Sequence, residues 1–277
     1  MKNFLTLLYF CVRQIYASRI IKQFDKNNYS LDSTKFEGYQ YYSKIFEPKE
    51  LNWPECLDKF GMATRRSINN IEASYIKICL NKVEKDIKTY LGEGARIDDI
   101  YVNYFDPNCC LEEPSPSGSW HHDNVGNRLK MYICLLGDGK TPTIILKDSH
   151  RNFKPFRLKE VFRFFGKVNV ESFSGDELAL SYKTGDMALF DTNAYHRGHY
   201  EGHLSKRVVL VVEFIDREKS NRLCGLCACG PGSRPDGEVL LSKEALDIIK
   251  SDLIDWQLIA EKEDKVSFSL KHLKNHN

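Results

Sequence analysis

The chain is expected to fold as a mainly β protein, a sandwich or barrel with flanking helices, and three observations predict it. From Arg96 onward, short β-like runs alternate with turns rich in glycine and proline. The residues before that point read as mostly helical, and a helical pattern returns after Gly230-Pro231-Gly232. The sequence carries no internal repeat or low-complexity tract that would suggest a stacked architecture instead.

The first 24 residues hold an apolar run, Phe4 to Val12, followed by Arg13, Arg19 and Lys22. Leu5, Leu8, Val12, Ile15 and Tyr16 fall on one face of a helix. Such a helix packs on the protein's own core, or lies on a membrane surface with its basic residues toward the headgroups. A cleaved secretory signal is the third reading, and Tyr16-Ala17-Ser18 makes a poor cleavage site for it. Next, Ser67 to Leu91 sets Ile71, Tyr75, Ile78, Val83, Ile87 and Leu91 at helical spacing, and Gly92 and Gly94 end it. This predicts a long helix laid against a sheet.

The β-like runs are Ile97–Phe105, Leu129–Leu136, Thr143–Leu146, Glu177–Tyr182, Met187–Asp191 and Val208–Ile215. Turns such as GDGKTP and KTGD separate them, and RLKEVFRFFG reads as a short amphipathic helix on a long connection. After these, SKEALDIIKSDLIDWQLIAEK predicts a helix with Ser242 as N-cap and Glu244 and Asp247 in its first turns. One domain over residues 1–277 is expected. It comprises helical support over about 1–95, a β-core over about 96–216 and a C-terminal helical segment over about 217–277.

A chain of 277 residues with 42% apolar content can bury a sizeable core. Charged residues at 28% and a mean hydropathy of −0.44 describe an ordinary globular protein. A net charge of +2 gives no argument for nucleic acid as a partner. The sequence has no uncharged apolar stretch of about 18 residues that would span a membrane as a helix. Nine cysteines without regular spacing fit a reducing compartment, so a cytoplasmic location is expected, with peripheral membrane contact through residues 1–24 as the variant. Cys224, Cys227 and Cys229 are too few for a closed zinc site and read as structural or incidental thiols.

The chemistry gathers around His121-His122-Asp123. On a strand, His121 and Asp123 point to one face while His122 points away. Alone, this is a three-letter coincidence. His196 follows the turn KTGD and the strand MALFD; its rivals His199 and His203 read as loop residues beside Gly202 and Ser205. Two imidazoles and one carboxylate can hold one face of a ferrous ion and leave the opposite positions open. Arg207 then opens the apolar run RVVLVVEF. A guanidinium there needs a partner, either a surface glutamate or the carboxylate of a bound dicarboxylic acid.

In this order, HHD, YHRG and Arg207 resemble the phytanoyl-CoA dioxygenase-like branch of the iron(II)/2-oxoglutarate oxygenases. Gly185-Asp186, Met187 to Phe190, His196 and Arg207 match that family's sequence of motifs over about residues 97–216. KDSHRN, around Ser149-His150, is similar to its Gly-Ser-His turn, with Asp148 where glycine is usual. The resemblance implies a double-stranded β-helix (jelly-roll, cupin-like) core flanked by helices. It implies Fe(II) on His121, Asp123 and His196, 2-oxoglutarate with its far carboxylate on Arg207, and O2, with ascorbate as an accessory reductant. The implied reaction hydroxylates a carbon of a small-molecule, sugar or lipid-type substrate, and a ligating Asp123 disfavours halogenation.

Tyr132 and Thr143 are candidates for further co-substrate contacts, and Trp120 for shaping the substrate pocket. Arg151 and Arg157 lie in a basic stretch with Lys154, Lys159, Arg163 and Lys167, which would suit an anionic substrate group or form a solvated helix face. Two other classes stay open. One is a catalytically silent β-helix binding or scaffold protein, against which the retention of every ligand position counts. The other is a cupin-like metalloenzyme that does not use 2-oxoglutarate, against which Arg207 counts.

Overall fold

The computed structural model describes residues 8, 30–31, 34–35, 38–49, 60–66, 68–110, 120–121, 128–150, 175–198, 204–216, 239–254, 259–262 and 265–268. The membrane-contact reading of residues 1–24, the helix RLKEVFRFFG and the cysteines at 224, 227 and 229 lie outside the described residues, Leu8 apart. In chain order the elements are β1 (Ser30–Leu31), β2 (Thr34–Lys35), β3 (Tyr39–Tyr42), β4 (Phe60–Arg66), helix α1 (Asn70–Leu91), β5 (Ala95–Cys110), β6 (Arg128–Leu136) and β7 (Thr143–Leu146). They continue with β8 (Glu177–Leu180), β9 (Met187–Asp191), β10 (His196–Gly198), β11 (Arg207–Asp216), β12 (Val239–Ser242), helix α2 (Lys243–Ile249), β13 (Ile259–Lys262) and β14 (Lys265–Phe268).

A six-stranded antiparallel sheet runs in the order β3-β9-β6-β11-β5-β4. A smaller antiparallel sheet runs β10-β7-β8, and an isolated bridge between His121 and His196 extends it beyond β10. Followed from β5, the chain passes from the large sheet to His121, back to β6, across to β7 and β8, back to β9, across to β10 and back to β11. That repeated crossing between two facing antiparallel sheets defines a double-stranded β-helix, or jelly-roll.

Alternation along the central strands builds two cores. Leu129, Met131, Ile133 and Leu135 of β6, Met187 and Leu189 of β9, and Val208, Leu210, Val212 and Phe214 of β11 share a core with α1 and α2. The opposite face of the same strands supplies Cys134, Ala188 and Phe190, which pack between the sheets against Ile145 of β7 and Leu180 after β8's start. A central strand buried on both faces is apolar wherever no partner awaits a polar group, and fully buried β9 is apolar from Met187 to Phe190 before its paired Asp191.

Helix α1 begins at Asn69 in a capping box. The Asn69 side chain accepts from the Glu72 amide at 2.9 Å, and the Glu72 carboxylate accepts from the Asn69 amide at 2.9 Å. Its buried face is Ala73, Ile76, Cys79, Leu80, Val83, Ile87, Tyr90 and Leu91. Tyr75, Val83, Ile87 and Leu91 lie where the sequence places them, whereas Ile71 and Ile78 are each 41% exposed. The buried stripe thus runs through Ala73, Ile76, Cys79 and Leu80 in place of Ile71 and Ile78.

Two expectations about the flanks are corrected. The N-terminal part, read as mostly helical, contains strands among its described residues, since β3 pairs with β9 and β4 with β5 at the two edges of the large sheet. Edge strands bury only part of their surface (β3 is half-buried or exposed along its length), so they carry no strict alternation to read. The C-terminal helix stops at Ile249 rather than Lys262. Lys250 takes a left-handed conformation, φ 33°, that ends it, and Leu253 instead accepts from the Ile97 amide at 2.7 Å. The N-cap is as expected, with the Ala245 amide donating to Ser242 Oγ at 3.0 Å. Strands β13 and β14 then form a hairpin that continues to β12.

The Gly185-Asp186 turn ties the sheet's edge to its centre. Gly185 has φ +89°, and a Cβ there would lie 2.3 Å from the Phe46 carbonyl oxygen. Asp186 accepts from the amides of Lys183 at 2.8 Å and Lys44 at 2.9 Å, and from the Tyr41 hydroxyl. Gly185→Ala is therefore expected to destabilise the fold by about 2–4 kcal/mol, from left-handed strain plus the backbone clash. Chemical denaturation measures it, and a loss below about 0.5 kcal/mol would show that the turn relaxes freely.

Candidate functional site

His121 and His196 face each other across a narrow antiparallel pair. The His121 amide donates to the His196 carbonyl at 2.9 Å and the His196 amide returns a bond to the His121 carbonyl at 2.7 Å. Directly opposed residues project to the same face, and the two ring centroids stand 4.4 Å apart. His196 is buried, and its Nδ1 lies 2.9 Å from the Ala194 carbonyl oxygen. A carbonyl only accepts, so Nδ1 is the donor here, and in the neutral ring that tautomer leaves the lone pair on Nε2. That is the state of a metal-ligating imidazole oriented by a backbone carbonyl. The Phe190 ring meets His196 edge-on at 5.4 Å.

Two clamps aim His196. On one side, Ser149 Oγ accepts from the Tyr195 amide at 2.8 Å and donates to the Leu146 carbonyl at 2.6 Å, while the Leu146 amide donates to the Tyr195 carbonyl at 2.9 Å. Asp148, in the turn after β7, has φ 56°, a left-handed geometry that glycine adopts freely and aspartate tolerates. On the other side, Asp191 ends β9 fully buried. Its Oδ1 accepts from Asn193 through the amide at 2.8 Å and through Nδ2 at 2.6 Å. Its Oδ2 accepts from the Tyr90 hydroxyl of α1 at 2.6 Å.

Arg207 opens β11 on the face that looks between the sheets. It donates from Nη1 to the Thr141 carbonyl at 2.9 Å, and the Thr143 hydroxyl lies at 3.5 Å. Among the described residues it has no carboxylate partner. Around it, Tyr182 is fully buried, and burial with Tyr132 beside it raises the Tyr182 hydroxyl above its ordinary value while Thr143 and Arg207 oppose the rise. Tyr132 is half-buried and stacks edge-on against Phe190 at 5.0 Å. Burial also pushes the Cys134 thiol up to about 12, against the pull of the Arg207 charge.

The structure thus brings together His121 with His196, and Arg207 with Thr143, while Tyr132 packs against Tyr182 and Phe190. Asp123, His122, His199, His203, Arg151 and Arg157 lie outside the described residues. Among the described residues, no group of three potential metal ligands forms, the histidine pair being two. Trp120, one step before His121, sits by strand alternation on the opposite face, its ring 5.1 Å from the Arg197 guanidinium. Arg197 in turn pairs with Glu177 at 3.6 Å. Sequence reasoning missed Tyr182, Tyr90 and Asp191. The run Asp191-Thr192-Asn193 carries an Asx-turn signature that could have marked the last of these.

No family model and no curated protein matches the chain. Solved structures do. HygX from Streptomyces hygroscopicus, with nickel and 2-oxoglutarate bound, is 10% identical over 69% of this chain and 86% of its own, with a TM-score of 0.45. The non-heme alpha ketoglutarate dependent epimerase SnoN, from nogalamycin biosynthesis, is 10% identical over 73% of this chain and 83% of its own, with a TM-score of 0.42. EvdMO1 is 18% identical over 48% of this chain, with a TM-score of 0.33, and the match spans 30% of that protein's length. The jelly-roll assignment itself rests on the strand order given above.

Tyr90→Phe removes one hydrogen bond to a buried carboxylate and is expected to cost about 1.5–3 kcal/mol of stability, read by denaturation. Asn193→Ala should cost a similar amount. A near-zero loss for both would mean that the turn holds without them. Cys134, with a thiol near 12, stays protonated at neutral and mildly alkaline pH, and Cys79, also pushed up to about 12 by burial, behaves alike. Iodoacetamide at about pH 8 should leave both unmodified in the folded chain, with mass mapping as the readout. Because the folded pKa is the higher one, their contribution to stability is full below about pH 9 and is lost as pH rises toward about 12.

Proposed function

We propose that this chain is an Fe(II)/2-oxoglutarate-dependent dioxygenase that hydroxylates a small-molecule substrate. The observation that carries the reading is a half-buried Arg207, without a carboxylate partner among the described residues, on the same interior as the facing His121–His196 pair. The distance between them suits the co-substrate. Thr143, beside Arg207, pairs with Gly198, and His196 lies two residues along the same strand, a span of about 7 Å. A five-carbon dicarboxylate covers that span.

The residues fit the implied metal. His196 offers Nε2 with its Nδ1 proton held by a carbonyl, and His121 faces it. Asp123, two residues on, would supply the carboxylate that completes a facial triad. When bound, Fe(II) supplies the redox chemistry that couples oxidative decarboxylation of 2-oxoglutarate by O2 to hydroxylation of a substrate carbon. Arg207 would pair bidentately with the far carboxylate of 2-oxoglutarate. The hydroxyls of Thr143, Tyr182 and Tyr132 would fill its remaining hydrogen-bonding positions. Ile145, Leu180 and Phe190, buried on this interior, would keep water from the bound carboxylate and so strengthen its pairing with Arg207.

Trp120, Arg151 and Arg157 remain proposals for substrate contact, and Trp120 would act from the outer face of its strand. Residues 1–277 are proposed to act as one domain in the cytoplasm. Among the described residues no helix is long and apolar enough to cross a membrane. Peripheral contact through residues 1–24 predicts liposome binding that their deletion removes.

The decisive assay is succinate release from 2-oxoglutarate by anaerobically iron-loaded protein, with ascorbate present. His121→Ala and His196→Ala should each abolish iron binding and succinate release. Arg207→Ala should raise the 2-oxoglutarate requirement by about thirtyfold or more while iron binding is kept. Iron binding that is absent, or unchanged in both histidine variants, would sink the proposal. Equal loss of iron and 2-oxoglutarate in Arg207→Ala would make the arginine structural.

A further inference from the structure

An unbroken line of rings leads from the histidine pair to the protein surface. Phe190 meets His196 edge-on at 5.4 Å, and Tyr132 meets Phe190 edge-on at 5.0 Å. Tyr182 follows Tyr132 at 5.9 Å, and Tyr41 stacks on Tyr182 at 6.4 Å with 24° between the planes. Each step falls within the range of rings in direct contact, about 4.5–7 Å between centroids. The register shows how the line is built. Ala188 of β9 stands between Tyr132 of β6 and Tyr41 of β3 in one row of the large sheet. Tyr182, two residues past β8, touches both tyrosines and so joins them across the small side chain. Phe190 and Tyr182 are buried, whereas Tyr41 is 37% exposed.

Packing alone would be served by phenylalanine at each of these places. A phenol adds a ring that gives up an electron readily when its proton has somewhere to go. The three tyrosines differ in that respect. Tyr132 and Tyr182 lie on the interior beside Arg207, where their hydroxyls can serve the co-substrate, and Tyr182 is sealed from solvent. The Tyr41 hydroxyl serves neither the co-substrate nor the histidines. It donates to the Asp186 carboxylate and lies 3.3 Å from the Ser181 carbonyl. Burial and the bond to Asp186 hold it above its ordinary value, so Tyr41 is a neutral phenol with a carboxylate ready to take its proton. It is also the ring of the line that a reagent in solvent can reach.

We infer that Tyr132, Tyr182 and Tyr41 form an electron relay that discharges the metal site when no substrate is bound, and that Tyr41 is the residue oxidised at the surface. Decarboxylation of 2-oxoglutarate supplies two of the four electrons that O2 takes up, and a substrate carbon supplies the other two. Without substrate those two are drawn from the protein. In each passage the Tyr41 O–H bond breaks. Its electron moves along Tyr182, Tyr132 and Phe190 to the oxidised iron, and its proton moves to Asp186. A water-soluble one-electron reductant of the ascorbate class then returns the phenoxyl radical to tyrosine, and Asp186 gives the proton back. Two passages restore ferrous iron, and the oxygen leaves as water with two protons from solvent. The inference rests on the oxygenase reading for the source of the oxidant in turnover; the line of rings itself does not.

The test supplies an oxidant at the site without 2-oxoglutarate. The full chain is loaded with Fe(II) anaerobically and given equimolar hydrogen peroxide. Tert-butanol removes free hydroxyl radical, and the spin trap 2-methyl-2-nitrosopropane captures phenoxyl radicals. Peptide mass mapping locates the adduct, and circular dichroism checks that each variant folds. The adduct is expected at Tyr41. Tyr41→Phe keeps the ring and should move oxidation back to the residues around the histidine pair. Tyr182→Phe leaves Tyr41 as exposed as before and iron bound, yet should lose most of the Tyr41 adduct. An undiminished Tyr41 adduct in Tyr182→Phe would show oxidation from solvent and overturn the inference. Adducts spread over the exposed tyrosines, oxidation that stops at Tyr132 or Cys134, or no adduct at all overturns it too, as does a chain that binds no iron. Failure of the oxygenase reading has a separate signature: no succinate from 2-oxoglutarate and O2, while peroxide still marks Tyr41.

Discussion

The buried carboxylate of Asp191 is the constraint on which the site's geometry depends. It sits where β9 leaves the large sheet and the chain crosses to β10. There it gathers the Tyr90 hydroxyl from α1 and two donors from Asn193, while the Asp191 amide donates to the Gly38 carbonyl at 2.9 Å. Its strand position is paired with Leu129 of the adjacent β6. A carboxylate at zero exposure would cost several kcal/mol if left unpartnered, so the surrounding elements are held to the one arrangement that satisfies it. Helix, sheet edge and histidine turn are joined through one residue.

That constraint explains why α1 packs as it does. Tyr90 reaches Asp191 from the last turn of the helix only if Ile87, Val83, Leu80 and Ile76 lie flat on the large sheet. The helix is thus part of the site's rigidity, though no residue of it faces the histidines. Functional constellations held by packed secondary structure keep their geometry better than those held by loops. The same large sheet carries Arg207 and the strands that flank His196 in sequence, so one packed layer fixes their relative positions.

The central strands were legible because they are buried on both faces, and the runs at β6, β7, β9 and β11 show it in unbroken apolar stretches. The edge strands β3 and β4 were not, since an edge needs no such pattern. Helix α1 was legible in extent and end, but its buried stripe was misplaced because Ile71 and Ile78 looked like core by residue type alone. The C-terminal helix was overextended because Leu253 and Ile254 keep a helical spacing while packing as a turn. Within the site, His196 and Arg207 could be read from their places beside a Gly-Asp turn and at a strand's start. Tyr90 could not, since its partner is 101 residues away.

Strand register is the variable that decides whether the histidines meet. His196 reaches His121 only as a directly opposed pair, and a slip of one residue would turn its ring to the outer face and bring Arg197 inward. The strand β10 is three residues long, too short to fix its own register through the ladder with β7. The register is instead set at the two ends of the turn that precedes it. Asp191 fixes where the turn begins, and the Ser149 hydroxyl together with the Leu146–Tyr195 bond fixes where it ends. Between those points the chain has no spare residue with which to slip. The left-handed backbone at Asp148 and the crowded Gly185 follow from the same requirement, because each lets a turn close tightly enough to deliver a strand in one register only.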